Sequence, residues 1–345
     1  MIGYYVHHHG LGHLQRLGAI APYLTSPVTG LSSLAPPPGW AGDWVQLARD
    51  DRIAPGGGDD PTAHQRLHWV PRHHLGLRTR MAQVAAWVER ARPALLVVDV
   101  SVEVTLLARL MGVPVAVVAM LGDRTDAPHE LAYDVAAALI APWPPDLGSA
   151  AGSDTGADTW PAHWRAKTTW VGAFSRFDDL PQHQQAAPGR PSGRRVLVLW
   201  GRGGDDVTAA ERSAARSATP GWEWTYRLGA PAEDAGPTTV WDDLLQADVV
   251  VVHGGHNAVA EVAAARRPAV VVAQTRPFGE QLHRVRLLAE AGIAVGVDRW
   301  PPPERWPRLL EQAVAVGGEQ WRRWSFGDGA WRAARAIEEL AGEHR

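Results

Sequence analysis

The residues best placed to do chemistry are imidazoles, glycines and carboxylates that come directly after apolar strands. Between Asp248 and Glu261 the chain reads DVVVVHGGHNAVAE. Val249, Val250, Val251 and Val252 predict a strand buried on both faces of a parallel sheet. It ends at His253, Gly254 and Gly255, and Asn257–Glu261 then opens a helix. The unpaired N–H groups of a first helical turn, together with the helix dipole, form an anion site. Glycines let a phosphate approach that backbone closely. Asn257 and Glu261 lie four apart, on one helical face. A carboxylate there suits a vicinal diol such as a ribose, because it accepts two hydroxyl hydrogen bonds. The plainer reading is a glycine turn joining a strand to a helix, with Glu261 solvated.

A second strand, glycine turn and helix open the chain. Ile2–Val6 is a short strand, His7-His8-His9-Gly10-Leu11-Gly12-His13 a loop, and Leu14–Leu24 a helix. The clustered histidines evoke a metal. Successive residues diverge, however, and no carboxylate or cysteine lies within ligand spacing, so no metal is expected. His13 is the sharper candidate, since a neutral imidazole can take a proton from a hydroxyl near neutral pH. The alternative is that it caps or packs its helix. Ala94–Val98 is a further buried strand, with Asp99 at its C-terminal end, where open α/β sheets place their chemistry. Asp99 also suits a helix N-cap, and Asp123 and Asp126 are competing carboxylates.

The residues after Glu261 give the glycine motif a context. Ala269–Ala273 is another buried strand, and Phe278-Gly279-Glu280-Gln281 opens a helix after Pro277. The run from Trp241 to Gly296 resembles the nucleotide-sugar-binding half of GT-B glycosyltransferases. It is similar to the family of the UDP-glycosyltransferases and the peptidoglycan N-acetylglucosaminyltransferase. The matching positions are His253, Gly255, Asn257, Glu261, Glu280 and Gln281. The resemblance implies that His253 and the glycine turn hold a diphosphate and that Glu261 holds the ribose. Glu280 and Gln281 would grip the donor sugar. Gly12-His13 resembles the loop that supplies the catalytic base in that family, and Asp99-Val100-Ser101 the segment whose aspartate orients it. A carboxylate on one imidazole nitrogen fixes the tautomer and stabilises the imidazolium, so a His13–Asp99 dyad is expected.

The same resemblance extends to other parts of the chain. Gly201-Arg202-Gly203-Gly204, after the strand Arg195–Trp200, looks like the loop that closes over the diphosphate, with Arg202 a charge partner for it. Val240-Trp241-Asp242 stands where the base is held, and Trp241 is a candidate to stack on uracil. Arg176, after Val171-Gly172, is a candidate to reach the phosphates. His256 occupies a place often held by an aromatic and is grouped with the nucleotide-binding residues.

Bulk composition fits this picture. The 345 residues amount to about two domains. The net charge of −3 argues against a nucleic-acid binder. The absence of cysteine excludes a disulfide framework and is compatible with a cytoplasmic protein. No signal peptide is visible, and no apolar run approaches the length of a membrane span. Seventeen tryptophans are unusual. Packing in an Ala/Arg-biased composition explains them more simply than clefts or lipid, although Gln320–Trp324 is a candidate contact with the inner face of an anionic membrane. Residues 64–91 show a helical pattern whose first half carries His64, His68, Trp69, His73 and His74, either facing an acceptor or solvated.

The expected fold is α/β, of GT-B type, with two Rossmann-like parallel-sheet domains facing across a cleft. Residues 1–178 form the acceptor domain, 179–193 the linker and 194–325 the nucleotide-sugar domain. Residues 326–345 form a helix packing back on the first domain. The expected activity is inverting, metal-independent transfer of a sugar from a nucleotide-diphosphate donor, UDP-linked first, to a hydroxyl acceptor. That acceptor is a small molecule, a lipid carrier or a glycan. The donor is a co-substrate and no cofactor is expected. The alternatives are an epimerase or hydrolase of the same fold, or a non-catalytic nucleotide-sugar-binding subunit.

Overall fold

The computed structural model describes residues 1–147, 160–180, 194–201, 206–229 and 237–343. The chain clusters into two compact units. One comprises Met1–Pro142, Pro161–Val171 and Ala330–Arg345, and the other Trp143–Trp160 and Gly172–Gly329.

The first unit is built on β1 (Ile2–Val6), β2 (Val28–Ser32), β3 (Asp43–Gln46), β4 (Leu95–Asp99), β5 (Val115–Val118), β6 (Ala138–Ala141) and β7 (Thr168–Trp170). They form a seven-stranded sheet in the order β3-β2-β1-β4-β5-β6-β7, parallel throughout. Its helices are α1 (Gly12–Ile20), α2 (Leu75–Ala91), α3 (Val102–Leu110), α4 (Ala127–Val135) and α5 (Ala162–Ala166). Every residue of β1 and β4 is buried, as the apolar runs require of strands covered on both faces. The helix α2 lies so close to β1 that a Cβ on Gly3 would fall 2.4 Å from the Trp87 ring.

The second unit holds β8 (Arg195–Trp200), β9 (Glu223–Leu228), β10 (Val249–His253), β11 (Ala269–Val272) and β12 (Val295–Val297), ordered β12-β11-β10-β8-β9. These strands too are all parallel. The helices α6 (Ala209–Ser217), α7 (Pro237–Gln246), α8 (His256–Ala265), α9 (Glu280–Glu290) and α10 (Trp306–Val316) belong to it. One face of the sheet carries a core in which Trp200, Trp224 and Trp306 join the valines of β8, β10 and β11. The last helix, α11 (Gly329–Glu343), falls in the first unit from Ala330 onward. Glu338 fastens it there, accepting from the Thr25 and Ser26 amides at 2.8 and 2.7 Å and from Ser26 Oγ at 2.7 Å.

Two expectations meet a different packing. The helical pattern over 64–91 is realised only from Leu75. Residues 61–72 are turns, and Asp60, Ala63, His64, Gln65 and His73 have positive φ. His74 begins the helix by accepting the Leu77 amide at 3.1 Å. In the Gln320–Trp324 stretch the two indoles turn inward: Trp321 and Trp324 are fully buried and Trp321 Nε1 donates to the Arg267 carbonyl at 2.7 Å. Linker residues 181–193 and the polar insertion 148–159 lie outside the described residues. No helix among the described residues is long and apolar enough to cross a membrane.

Candidate active site

In an open parallel sheet, ligands bind at the carboxyl ends of the strands where the strand order reverses. In the first sheet that point lies between β1 and β4, since the order runs outward from them in both directions. Val6 and Asp99 pair in register at the ends of these two strands. His13, the second residue of α1, reaches across, and its Nδ1 lies 2.9 Å from Asp99 Oδ1. The carboxylate of Asp99 is completely buried. Burial alone would raise its pKa, but Arg16 and His13 outweigh this and hold it below the ordinary value. An ionised Asp99 requires the proton on Nδ1, which leaves the His13 Nε2 lone pair for an incoming hydroxyl.

Two details sharpen this geometry. Asp99 is not the cap of α3; Ser101 is, accepting the Val104 amide at 3.2 Å. Between them Val100 sits at φ 63°, a costly conformation for a β-branched residue. Sequence reading also missed Arg16, which is buried and donates through Nη1 to the same Asp99 oxygen at 2.5 Å. The signal was available: positions 13 and 16 share a helical face.

The histidine run is brought to carboxylates that sequence spacing did not reveal. His8 Nε2 lies 3.3 Å from Asp50 and 3.5 Å from Asp51, and His9 lies 3.6 Å from Asp51. A metal is nevertheless disfavoured at His8. Arg80 Nη2 donates to its Nδ1 at 2.9 Å, so a neutral ring carries its proton on Nε2, where a metal would need a lone pair. Burial and the Arg80 charge push the His8 pKa down to about 4. The same logic applies to His68, Asp126 and His129, also within ligand reach of one another. Arg124 Nη1 donates to His129 Nε2 at 3.1 Å, so the His129 Nδ1 proton goes to Asp126.

In the second sheet the order reverses between β8 and β10. His253 ends β10, and Trp200 ends β8 beside it with ring centroids 5.7 Å apart. Gly255 N–H donates to His253 Nδ1 at 3.0 Å. A Cβ on Gly255 would lie 2.4 Å from His253 Cε1, and one on Gly201 would lie 3.1 Å from Nε2. The two glycines therefore make room for the imidazole. Burial first, then Arg276 and Arg284, lower the His253 pKa to about 4, with Asp206 opposing. The ring is a neutral donor through Nε2. Gly254 lies against Val285 and Gln281. Gly255 is the N-cap of α8, whose first turn holds His256 and Asn257.

Glu261 lies one turn beyond Asn257, buried, with Oε1 accepting from Arg176 Nε at 2.9 Å. Burial raises its pKa, and Arg176 partly offsets the shift. Arg176 thus holds this carboxylate through its Nε.

Packing places the other residues assigned to this half. Trp241 is only 6% exposed and its ring lies 5.3 Å from Phe177, so its face is not open to a base. Gln281 is 5% exposed and points inward. Its Oε1 accepts the Gln274 amide at 3.1 Å. Glu280 accepts from Arg284 Nη2 at 2.9 Å. The His256 side chain is buried with its ring 6.2 Å from Phe174. Arg202 and Gly203 lie outside the described residues.

Comparison with known proteins agrees with this architecture. Residues 238–310 match the model of the glycosyltransferase family 28 C-terminal domain. Among solved structures, the glycotransferase of kitacinnamycin is 18% identical, with 98% of each chain covered and a TM-score of 0.65. The calicheamicin glycosyltransferase CalG4 is 17% identical over 99% of this chain and 98% of its own, with a TM-score of 0.63. MurG of Acinetobacter baumannii is 15% identical over 98% and 99%, with a TM-score of 0.63. A search of curated proteins gave no match. Two parallel sheets with imidazoles at both switch points give this chain the GT-B fold, and its residues 238–310 are similar to the glycosyltransferase family 28 C-terminal domain.

Proposed function

We propose that the protein transfers a sugar, with inversion and without a metal, from a nucleoside-diphosphate donor to an acceptor hydroxyl. The observation that carries the reading is the hydrogen bond from His13 to the buried Asp99 at the first switch point. His13 Nε2 takes the acceptor's proton as the acceptor oxygen attacks the anomeric carbon from the face opposite the diphosphate. Asp99 keeps the imidazole in the required tautomer and stabilises the imidazolium. The bond from the anomeric carbon to the β-phosphate oxygen breaks, and the electron pair leaves on the diphosphate.

The diphosphate charge is met by the first amides of α8 and by His253 Nε2–H. Glu261 accepts the ribose hydroxyls, with Arg176 holding it in place. Metal-free transfer is supported by these protein donors and by the absence of an Asp-x-Asp sequence. The donor base is uracil or thymine, with UDP taken first. A Phytolacca americana relative of this fold is described with UDP-2-fluoro-glucose, and Streptomyces SsfS6 with thymidine diphosphate.

Calorimetric titration of UDP, dTDP and GDP, without metal, tests the donor half. Selective binding of one pyrimidine diphosphate, lost in Glu261→Ala, is the expected result. A folded protein that binds none of the three would refute the donor site.

A further inference from the structure

We propose that Arg276 supplies the positive charge that seats the donor's diphosphate and balances the charge that grows on it as the sugar departs. This rests on the donor-site reading above and assigns a residue that reading does not contain. A nucleoside diphosphate leaves with more negative charge than it carried as a glycoside, so its seat needs a cation as well as dipoles.

The groups around His253 narrow the choice. His253 is neutral, with Nδ1 occupied by the Gly255 amide, and so donates one N–H but no charge. The charged groups whose fields act on it are Arg276, Arg284 and Asp206. Arg284 is 1% exposed and already structural. Its Nη1 donates to the Gly254 carbonyl at 2.5 Å and its Nη2 to Glu280 at 2.9 Å. Arg176 is committed to Glu261. The chain places Arg276 differently. Val272 of β11 pairs with His253, so Gln274 and Arg276 emerge two and four residues beyond it, at the adjoining strand end.

A bracket of hydrogen bonds fixes the half-buried Arg276 guanidinium. Its Nη2 donates to Gln274 Oε1 at 3.0 Å and its Nη1 to the Thr275 carbonyl at 3.2 Å. Gln274 is itself held, its amide on Gln281 Oε1 and its Nε2 on Asp206 Oδ1 at 2.6 Å. This gives the inward-turned Gln281 a purpose: it anchors the residue that aims the arginine. A planar guanidinium matches phosphate oxygens bidentately and stays protonated throughout. Arg276 therefore balances charge while the proton moves only from the acceptor to His13.

The test is titration of UDP and UMP, or dTDP and dTMP if thymine is preferred. The proteins are the wild type, Arg276→Gln, Arg276→Met, Arg276→Lys, Arg202→Gln and Glu261→Ala, each checked by thermal melt. UDP affinity should fall about 10- to 100-fold in both neutral variants, as for loss of one charge-assisted contact. UMP, which lacks the β-phosphate, should stay within about two-fold, and Arg276→Lys should recover part of the loss. UDP affinity unchanged in Arg276→Gln and Arg276→Met, or equal losses for UDP and UMP, would overturn the proposal. If Glu261→Ala loses UDP and the Arg276 variants do not, the donor site stands and the role of Arg276 falls. A larger loss confined to Arg202→Gln would move the charge to that residue. If the wild type binds neither nucleotide, both readings fall together.

Discussion

At the scale of single residues, the first unit turns on one oxygen atom. Asp99 Oδ1 receives both His13 and Arg16, so the carboxylate orients a base and neutralises a buried cation at once. Asp99→Asn should therefore fail in two ways. The amide no longer enforces the Nδ1–H tautomer, and turnover should fall about 10²- to 10⁴-fold. Arg16 also loses its counter-charge in the interior, so the melting temperature should fall. A variant with wild-type turnover would separate Asp99 from the chemistry. In the second unit, the Gly255→Ala methyl would clash with the His253 ring, 2.4 Å from Cε1. Nucleotide affinity should drop at least as far in Gly255→Ala as in His253→Ala, with β10 and α8 intact by circular dichroism. Retention of affinity in either variant would remove His253 from the diphosphate seat.

At the scale of elements, α7 and α11 show what packing decides. Trp241 faces inward from α7 onto Phe177, so Trp241→Ala should cost about 3–5 kcal/mol of stability by denaturant titration. A variant of unchanged stability that loses only base selectivity would restore the stacking role. Glu338 ties α11 to residues 25–26 of the first unit, and those amide and hydroxyl contacts keep its pKa low against the opposing effect of burial. A carboxyl with a lowered folded pKa stabilises above its unfolded pKa, and that stability is lost as pH falls through the folded value. The gap between wild type and Glu338→Gln should thus be present at neutral pH and close in the acid carboxylate range. A gap that is constant with pH would assign the contact to packing. The valine strands and their terminal residues were legible in sequence because buried parallel strands have an unmistakable composition and end where chemistry sits. His13 and Asp99 could be paired because each comes after such a strand. The inward turn of Trp241 and Gln281 was not legible, because a motif names residues but not the side of the helix the core will take. His8 with Asp50, and Arg80 with both, depend on contacts between distant segments that no local pattern carries. The turns at 61–72 broke a helical pattern in which Pro71 was the visible warning.

At the scale of the molecule, two parallel sheets each carry a histidine at the point where strand order reverses. One histidine is braced by a carboxylate and suits proton removal. The other is braced by a backbone amide, neutral among arginines, and suits an anion. The proposed reaction also predicts that a chelator leaves turnover within about two-fold, because in it the charge on the leaving group is met by protein donors; turnover abolished by chelator and restored by a divalent ion would contradict it. The most direct test of the central claim is the rate of nucleoside-diphosphate release from the preferred donor. It should be measured with and without an acceptor panel, in wild type and His13→Ala. Release should depend on an acceptor and fall about 10²- to 10⁴-fold in His13→Ala, while the variant binds the nucleotide as tightly as wild type. Release that needs no acceptor, or that survives the loss of His13, would contradict the account.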